Sequence, residues 1–302
     1  MKVLMITADR GLLKEGSNAW ERLQLQRNAV TQLDVVYFGR GALLNVLSIR
    51  GTYDVVTAQD PLWRGLVAWC VAKKVHAKFN VQVHMDLSTL SLIRHILAQI
   101  ILRYADSVRV VSEKIKVQVE KMEVKAKISV LPVFVDVQRF HSVARREHAG
   151  KNILWMGRFE GEKNPLQAIA VLKEVLKTVP DARLVMLGAG DMKEQIAENG
   201  VGLPVDLPGW QDPIEYLEVA DVVVCTSKYE SWGASIVEAL ASGVPVVAPD
   251  VGIANEAGAI VVSREKLAEA VIEVLKSGER GVLKLSLLPA EAWAVQWRQT
   301  LV

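Results

Sequence analysis

Short, unbroken apolar runs alternate along this chain with longer stretches whose apolar residues recur every three or four positions. Lys2 to Thr7, Asp34 to Phe38, Asp54 to Ala58, Ala77 to His84 and Ser107 to Val111 have the length and β-branched content of strands buried on both faces. Asn18 to Thr31, Leu62 to Lys73, Leu90 to Tyr104 and a stretch from Glu113 have helical spacing. This alternation predicts a doubly wound parallel α/β sheet, whose ligands bind beyond the carboxyl ends of the strands. A polar, charged interval from His141 to Lys151 interrupts the rhythm, which restarts at Asn152 to Met156. Two Rossmann-like domains are therefore expected, at 1–141 and 142–288. A terminal helix at 289–302 follows, with Trp293 and Trp297 on one face.

The second domain holds the most informative stretch, Tyr229 to Pro245. It follows the strand-like run Asp221 to Thr226, turns at Gly233, continues as a helix from Ser235 to Ser242 and stops at Gly243 before the next strand, Val244 to Ala248. A glycine turn leading into a helix N-terminus makes an anion seat, because the backbone amides of Gly233, Ala234, Ser235 and Ile236 point outward and the helix dipole favours negative charge. Glu230 precedes that seat and Glu238 lies inside the helix. Together they suit a sugar joined to a nucleotide through a diphosphate. Ser235 and Glu238 also have the spacing of a capping box, in which Glu238 only returns a hydrogen bond to the helix start.

With seven residues between its glutamates, the frame Glu230-Ser-Trp-Gly-Ala-Ser-Ile-Val-Glu238-Ala-Leu-Ala-Ser-Gly-Val-Pro resembles the E-x7-E segment of retaining GT-B glycosyltransferases of family 4. The resemblance implies two facing domains with the active site in the cleft, and no covalent nucleophile. Gly157-Arg158-Phe-Glu-Gly-Glu-Lys163-Asn164 looks like that family's second phosphate segment, in which Arg158 and Lys163 would neutralise the donor diphosphate as the leaving group gains charge. The resemblance also places Glu230 on sugar hydroxyls, Glu238 on the ribose, and His84 on a sugar hydroxyl from the first domain. Gly16 would lie near the phosphates, although Ser17 or Asn18 beside it is also suited to cap the next helix. Trp210 would lie beside the nucleobase or fill a wall between domains. Met85 separates His84 from Asp86, so no role is assigned to Asp86.

Composition narrows the rest. Residues 1–141 hold 20 Lys and Arg against 12 Asp and Glu, a net +8, whereas residues 142–302 hold 16 against 22, a net −6. A basic first half suits an anionic partner, either a membrane surface or a phosphorylated lipid, or is an ordinary solvated face. The lysine-rich stretch from Arg109 to Lys127 contains Glu113, Glu120 and Glu123, which favours a solvated helix. Gly188-Ala-Gly190 lacks the third glycine of a dinucleotide fingerprint. Cys70 and Cys225 have no metal-like spacing and are read as core thiols in a reducing compartment. No D-x-D pair for a metal is present, and Asp9 and Arg10 cut the first apolar run too early for a signal peptide.

The expectation is a cytoplasmic enzyme, without a resident cofactor or metal, that moves a hexose from a UDP or GDP sugar to a sugar- or lipid-linked hydroxyl. It is expected to be peripheral on the membrane and to bind no nucleic acid. A nucleotide-sugar epimerase of the same architecture and a non-catalytic sugar-nucleotide-binding relative are the alternatives.

Overall fold

The computed structural model describes residues 1–38 and 49–302. The chain divides into two compact units, Met1–Phe134 with Leu288–Val302, and Val135–Leu287. The first break falls ahead of the polar 141–151 interval because the short helix Val137–His141 packs on the helix Ala234–Ala241.

The first unit carries a six-stranded sheet with strands β1 (Lys2–Thr7), β2 (Gln32–Tyr37), β3 (Val55–Ala58), β4 (Lys78–Val83), β5 (Ser107–Val110) and β6 (Lys127–Val130), in the order β2-β1-β3-β4-β5-β6. Every pairing is parallel. The helices that connect the strands cover both faces, which explains why Val3, Ile6, Val55, Val56, Val81 and Val83 are wholly buried. The terminal helix Ala290–Gln299 belongs to this unit, and Trp293, Trp297 and Leu301 enter its core beside Val3, Met5 and Leu23.

Polar groups inside the sheet anchor that helix. Asn80 donates to the Thr300 carbonyl at 2.9 Å, and the Ser107 hydroxyl donates to the Leu301 carbonyl at 2.9 Å. Arg109, fully buried in β5, donates to Gln82 and to the carbonyls of Leu131 and Pro132. Its guanidinium lies 5.4 Å from the ring of Trp293, whose indole N–H donates to the same Pro132 carbonyl. Burial, and then the charge of Arg22, pushes the Arg109 guanidinium down to about 9.

The second unit repeats the plan with β7 (Lys151–Met156), β8 (Ala182–Leu187), β9 (Val205–Gly209), β10 (Val222–Val224), β11 (Val246–Ala248) and β12 (Ile260–Val261). Their order is β12-β11-β10-β7-β8-β9, again with parallel pairings. The order reverses between β7 and β10, and a crevice opens beyond their carboxyl ends at such a reversal. The loops after these two strands are Gly157–Asn164 and Cys225–Gly233.

The cysteines correct one expectation. Cys225 is buried, but Cys70 is exposed on the outer side of the helix Trp63–Val75. That helix is apolar nearly all round, so its sequence does not reveal which side faces water.

Candidate functional site

The two loops at the reversal point bring Lys163 and Glu230 together. The Lys163 ammonium donates to Glu230 Oε1 at 2.5 Å, and the Ser227 hydroxyl donates to the same oxygen at 2.8 Å. Both side chains are mostly buried, Lys163 19% exposed and Glu230 11%. Both of these donors fall on Oε1 rather than Oε2. Nearby, burial and the Glu230 charge push the Cys225 thiol up, which keeps it protonated and inert.

Thr226 fixes the lysine loop. Its wholly buried hydroxyl accepts from the indole N–H of Trp155 at 2.9 Å and faces the carbonyls of Lys163 and Asn164 at 3.0 Å each. Asn164 has a left-handed backbone, φ 50°, and turns the chain into the helix Pro165–Val175. Sequence reasoning missed Thr226 and Ser227. Their signal is a pair of hydroxyl residues where an apolar strand ends.

Arg158 is exposed and paired with the Glu160 and Glu162 carboxylates of its own loop, the first at 3.0 Å. Behind the loop, Gly188-Ala-Gly190 serves close packing. A Cβ on Gly188 would lie 1.9 Å from the Gly157 carbonyl oxygen, and one on Gly190 would lie 2.6 Å from that of Phe159.

The helix Ala234–Ala241 begins at Gly233, which caps it with φ 111° and no side-chain cap hydrogen bond. Ser235 is therefore inside the helix, and the capping-box reading of Ser235 and Glu238 does not hold. Glu238 is buried one turn further on. The Ile236 N–H bends back to the Gly233 carbonyl at 3.1 Å and is spent there. The N–H groups of Ala234 and Ser235 have no carbonyl one turn earlier within the helix. Gly252, also missed from sequence, supports this turn: its φ is +53°, and a Cβ there would lie 2.2 Å from the Trp232 carbonyl oxygen and 2.8 Å from Glu230 Cβ.

The other expected residues lie further along the chain or in the other unit. Trp210 follows β9 directly and is 63% exposed, so it does not fill a core. Gly16 has φ +76° and precedes Ser17, whose hydroxyl caps the helix Asn18–Asn28 through the Trp20 N–H. His84 follows β4 in the first unit, and its Nε2 is sealed from solvent without a hydrogen-bond partner among the described residues. Burial, then the charges of Arg109 and Arg22, hold its imidazole well below the usual value of 6.5 and therefore neutral. Asp86 is structural. It caps the turn Leu87–Thr89 by accepting from Ser88, and it accepts from Gln118 at 2.8 Å. Among the described residues, no three His, Cys, Asp or Glu side chains converge as a metal site.

Residues 150–277, nearly the whole second unit, match the glycosyl transferases group 1 family. A GDP-mannose:cellobiosyl-diphosphopolyprenol alpha-mannosyltransferase of Xanthomonas oryzae is 29% identical over 163 residues, 49% of this chain and 43% of the relative. A GDP-mannose-dependent alpha-(1-6)-phosphatidylinositol dimannoside mannosyltransferase of Mycobacterium tuberculosis is 29% identical over 168 residues, 50% of this chain and 44% of the relative. The chain thus spans less than half the length of these curated relatives. Among solved structures, Anabaena HepE in complex with UDP and glucose superposes with TM-score 0.73 at 18% identity, over 98% of this chain and 95% of its own. That likeness shows a shared fold, GT-B. Over residues 150–277, the chain is thus similar to the glycosyl transferases group 1 family.

Proposed function

We propose that the protein transfers a hexose from a UDP or GDP sugar to a hydroxyl acceptor, with retention of configuration and without a divalent ion. The observation that carries this reading is Glu230, held on one oxygen by Lys163 and Ser227 at the reversal point of the second sheet. A carboxylate tethered on one side can accept from sugar hydroxyls with the other. Its lysine partner sits where a diphosphate meets the helix start at Gly233.

In the reaction, the bond between the anomeric carbon and the diphosphate oxygen breaks, and its electron pair leaves with the nucleotide. The acceptor oxygen bonds to that carbon from the same face, and the acceptor proton passes to a diphosphate oxygen. Lys163, Arg158 and the amides of Ala234 and Ser235 meet the charge that develops on the leaving group, as a metal does in other transferases. Glu238 reads the ribose, Trp210 stacks on the base, and Gly16 lets the first-unit loop approach the phosphates. The neutral imidazole of His84 orients a sugar hydroxyl from the first unit.

The acceptor is sugar- or lipid-linked. The net +8 of residues 1–141 supports a site of action on the cytoplasmic face of an anionic membrane. No helix among the described residues is long and apolar enough to cross a bilayer, and the contact proposed is a peripheral one.

Calorimetric titration with UDP, GDP and ADP in the presence of EDTA tests the donor site. Tight binding of UDP or GDP is expected. A folded protein that binds none of the three would overturn the catalytic reading.

A further inference from the structure

The first unit carries an apolar helix face that its own core does not use. The helix Leu92–Arg103 buries Ala98, Ile101 and Leu102. Leu92 is 75% exposed and Ile93 80%, and Ile96, Ile100 and the following Tyr104 are each about half exposed. Ile93, Ile96, Ile100 and Tyr104 fall at helical spacing on one side, and scattered single exposures do not make such a stripe.

Neighbouring contacts fix where this stripe lies. A Cβ on Gly65 would lie 2.8 Å from Ile101 Cγ2, and Trp69 stacks on Tyr104 with ring centroids 4.6 Å apart. The helices Trp63–Val75 and Leu92–Arg103 therefore run in the same direction, and the second starts roughly 10 Å before the first at 1.5 Å per residue. Helices in a doubly wound sheet start at the carboxyl ends of the strands. Leu92, Ile93 and Ile96 thus lie toward the carboxyl end of the sheet, where His84 follows β4.

The charge carried by the two helices themselves has one sign. The two helices contain Arg64, Lys73, Lys74, Arg94 and Arg103 and no aspartate or glutamate. Arg64 is paired with Asp60 and Arg103 with Glu123, while Arg94 and Lys73 stand exposed. An apolar stripe edged by cations complements a bilayer surface of anionic phospholipid, with apolar side chains entering the acyl boundary and cations meeting phosphates.

We infer that the helix Leu92–Arg103 is the surface by which this protein lies on an anionic membrane, oriented so that the His84 edge of the first unit faces the lipid. This builds on the membrane-side acceptor proposed above and assigns its contact to residues outside the lysine-rich 109–127 stretch.

Co-flotation of the purified full chain with vesicles tests it, without any nucleotide. Vesicles of phosphatidylcholine mixed with phosphatidylglycerol should carry the protein, and phosphatidylcholine alone should not. Ile93→Ser combined with Ile96→Ser, both exposed and so harmless to the fold, should weaken partitioning about tenfold or more. Arg94→Gln should weaken it about fivefold, with the effect lost at high salt. Val201→Ser, at an exposed valine of the second unit, should change nothing. Calorimetry with UDP and GDP on the isoleucine double variant separates this surface from the donor site, because nucleotide binding should match the parent whether or not vesicles bind. The inference is overturned if the parent ignores anionic vesicles or the double variant floats as well as the parent. It is equally overturned if light scattering shows a dimer that the double variant dissolves, which would give the face to a second copy of the chain.

Discussion

Thr226→Val tests how the donor-side loop is held in place. The substitution keeps the shape of a wholly buried side chain and removes its oxygen. The indole N–H of Trp155 then loses its acceptor, and the Lys163 carbonyl loses the hydroxyl facing it. The Asn164 carbonyl keeps the Gln167 N–H at 3.1 Å, so the damage falls on the other two groups. A buried donor left unsatisfied costs about 1–3 kcal/mol, and adding a weaker loss at the carbonyl gives about 3 kcal/mol. For a unit of this size that corresponds to a fall in melting temperature of roughly 6–10 °C. Because the same hydroxyl tethers the backbone of Lys163, nucleotide affinity should fall with stability. Thr226→Ser, which keeps the hydroxyl, should restore affinity while remaining about 1 kcal/mol less stable through the lost methyl. Differential scanning calorimetry and isothermal titration with UDP and GDP measure both quantities. A valine variant that melts and binds like the parent would refute the argument that Thr226 organises the loop.

Three further outcomes are expected. Glu230→Gln should leave the circular dichroism spectrum unchanged and reduce transfer on the order of a hundredfold or more, measured with radiolabelled donor once an acceptor is in hand; full activity would remove Glu230 from the site. Gly252→Ala places a Cβ against the Trp232 carbonyl in a left-handed conformation, so it should destabilise by about 2 kcal/mol or more and lower nucleotide affinity, as read by urea melts and titration. Below pH 6.5 the unfolded chain protonates His84 while the folded chain, its imidazole held down by burial, does not, so stability falls as pH drops from there. His84→Asn should flatten that slope in urea melts between about pH 7 and pH 5, and an unchanged slope would contradict a buried neutral imidazole.

The fold was readable because its strands are buried on both faces, as Val222–Val224 and Val246–Ala248 are, and therefore appear as apolar runs ended by glycine or polar residues. Lys163 and Glu230 were each singled out from their motifs, Lys163 beside Arg158 and Glu230 ahead of Glu238, but their pairing depends on the strand order that brings the two loops to one reversal point. Thr226 and Gly252 were not, since their work depends on Trp155 and Trp232 backbone and side-chain atoms far away in sequence. The capping-box reading failed for a local reason: Gly233 begins the helix, moving Ser235 inside it. The helix Leu92–Arg103 shows the opposite limit. It has apolar residues around most of its circumference, so only the packing of Ala98, Ile101 and Leu102 reveals which side is left to solvent.

The return of residues 288–302 to the first unit has a consequence for how this protein is made. Asn80 and Ser107 wait inside the first sheet for the carbonyls of Thr300 and Leu301, and Arg109 waits for Trp293. During synthesis from the ribosome the second unit, a contiguous segment, emerges complete while the first still lacks its closing helix. The first unit to be translated is thus the last to close its core, and in the interval chaperones have a reason to hold it rather than its partner.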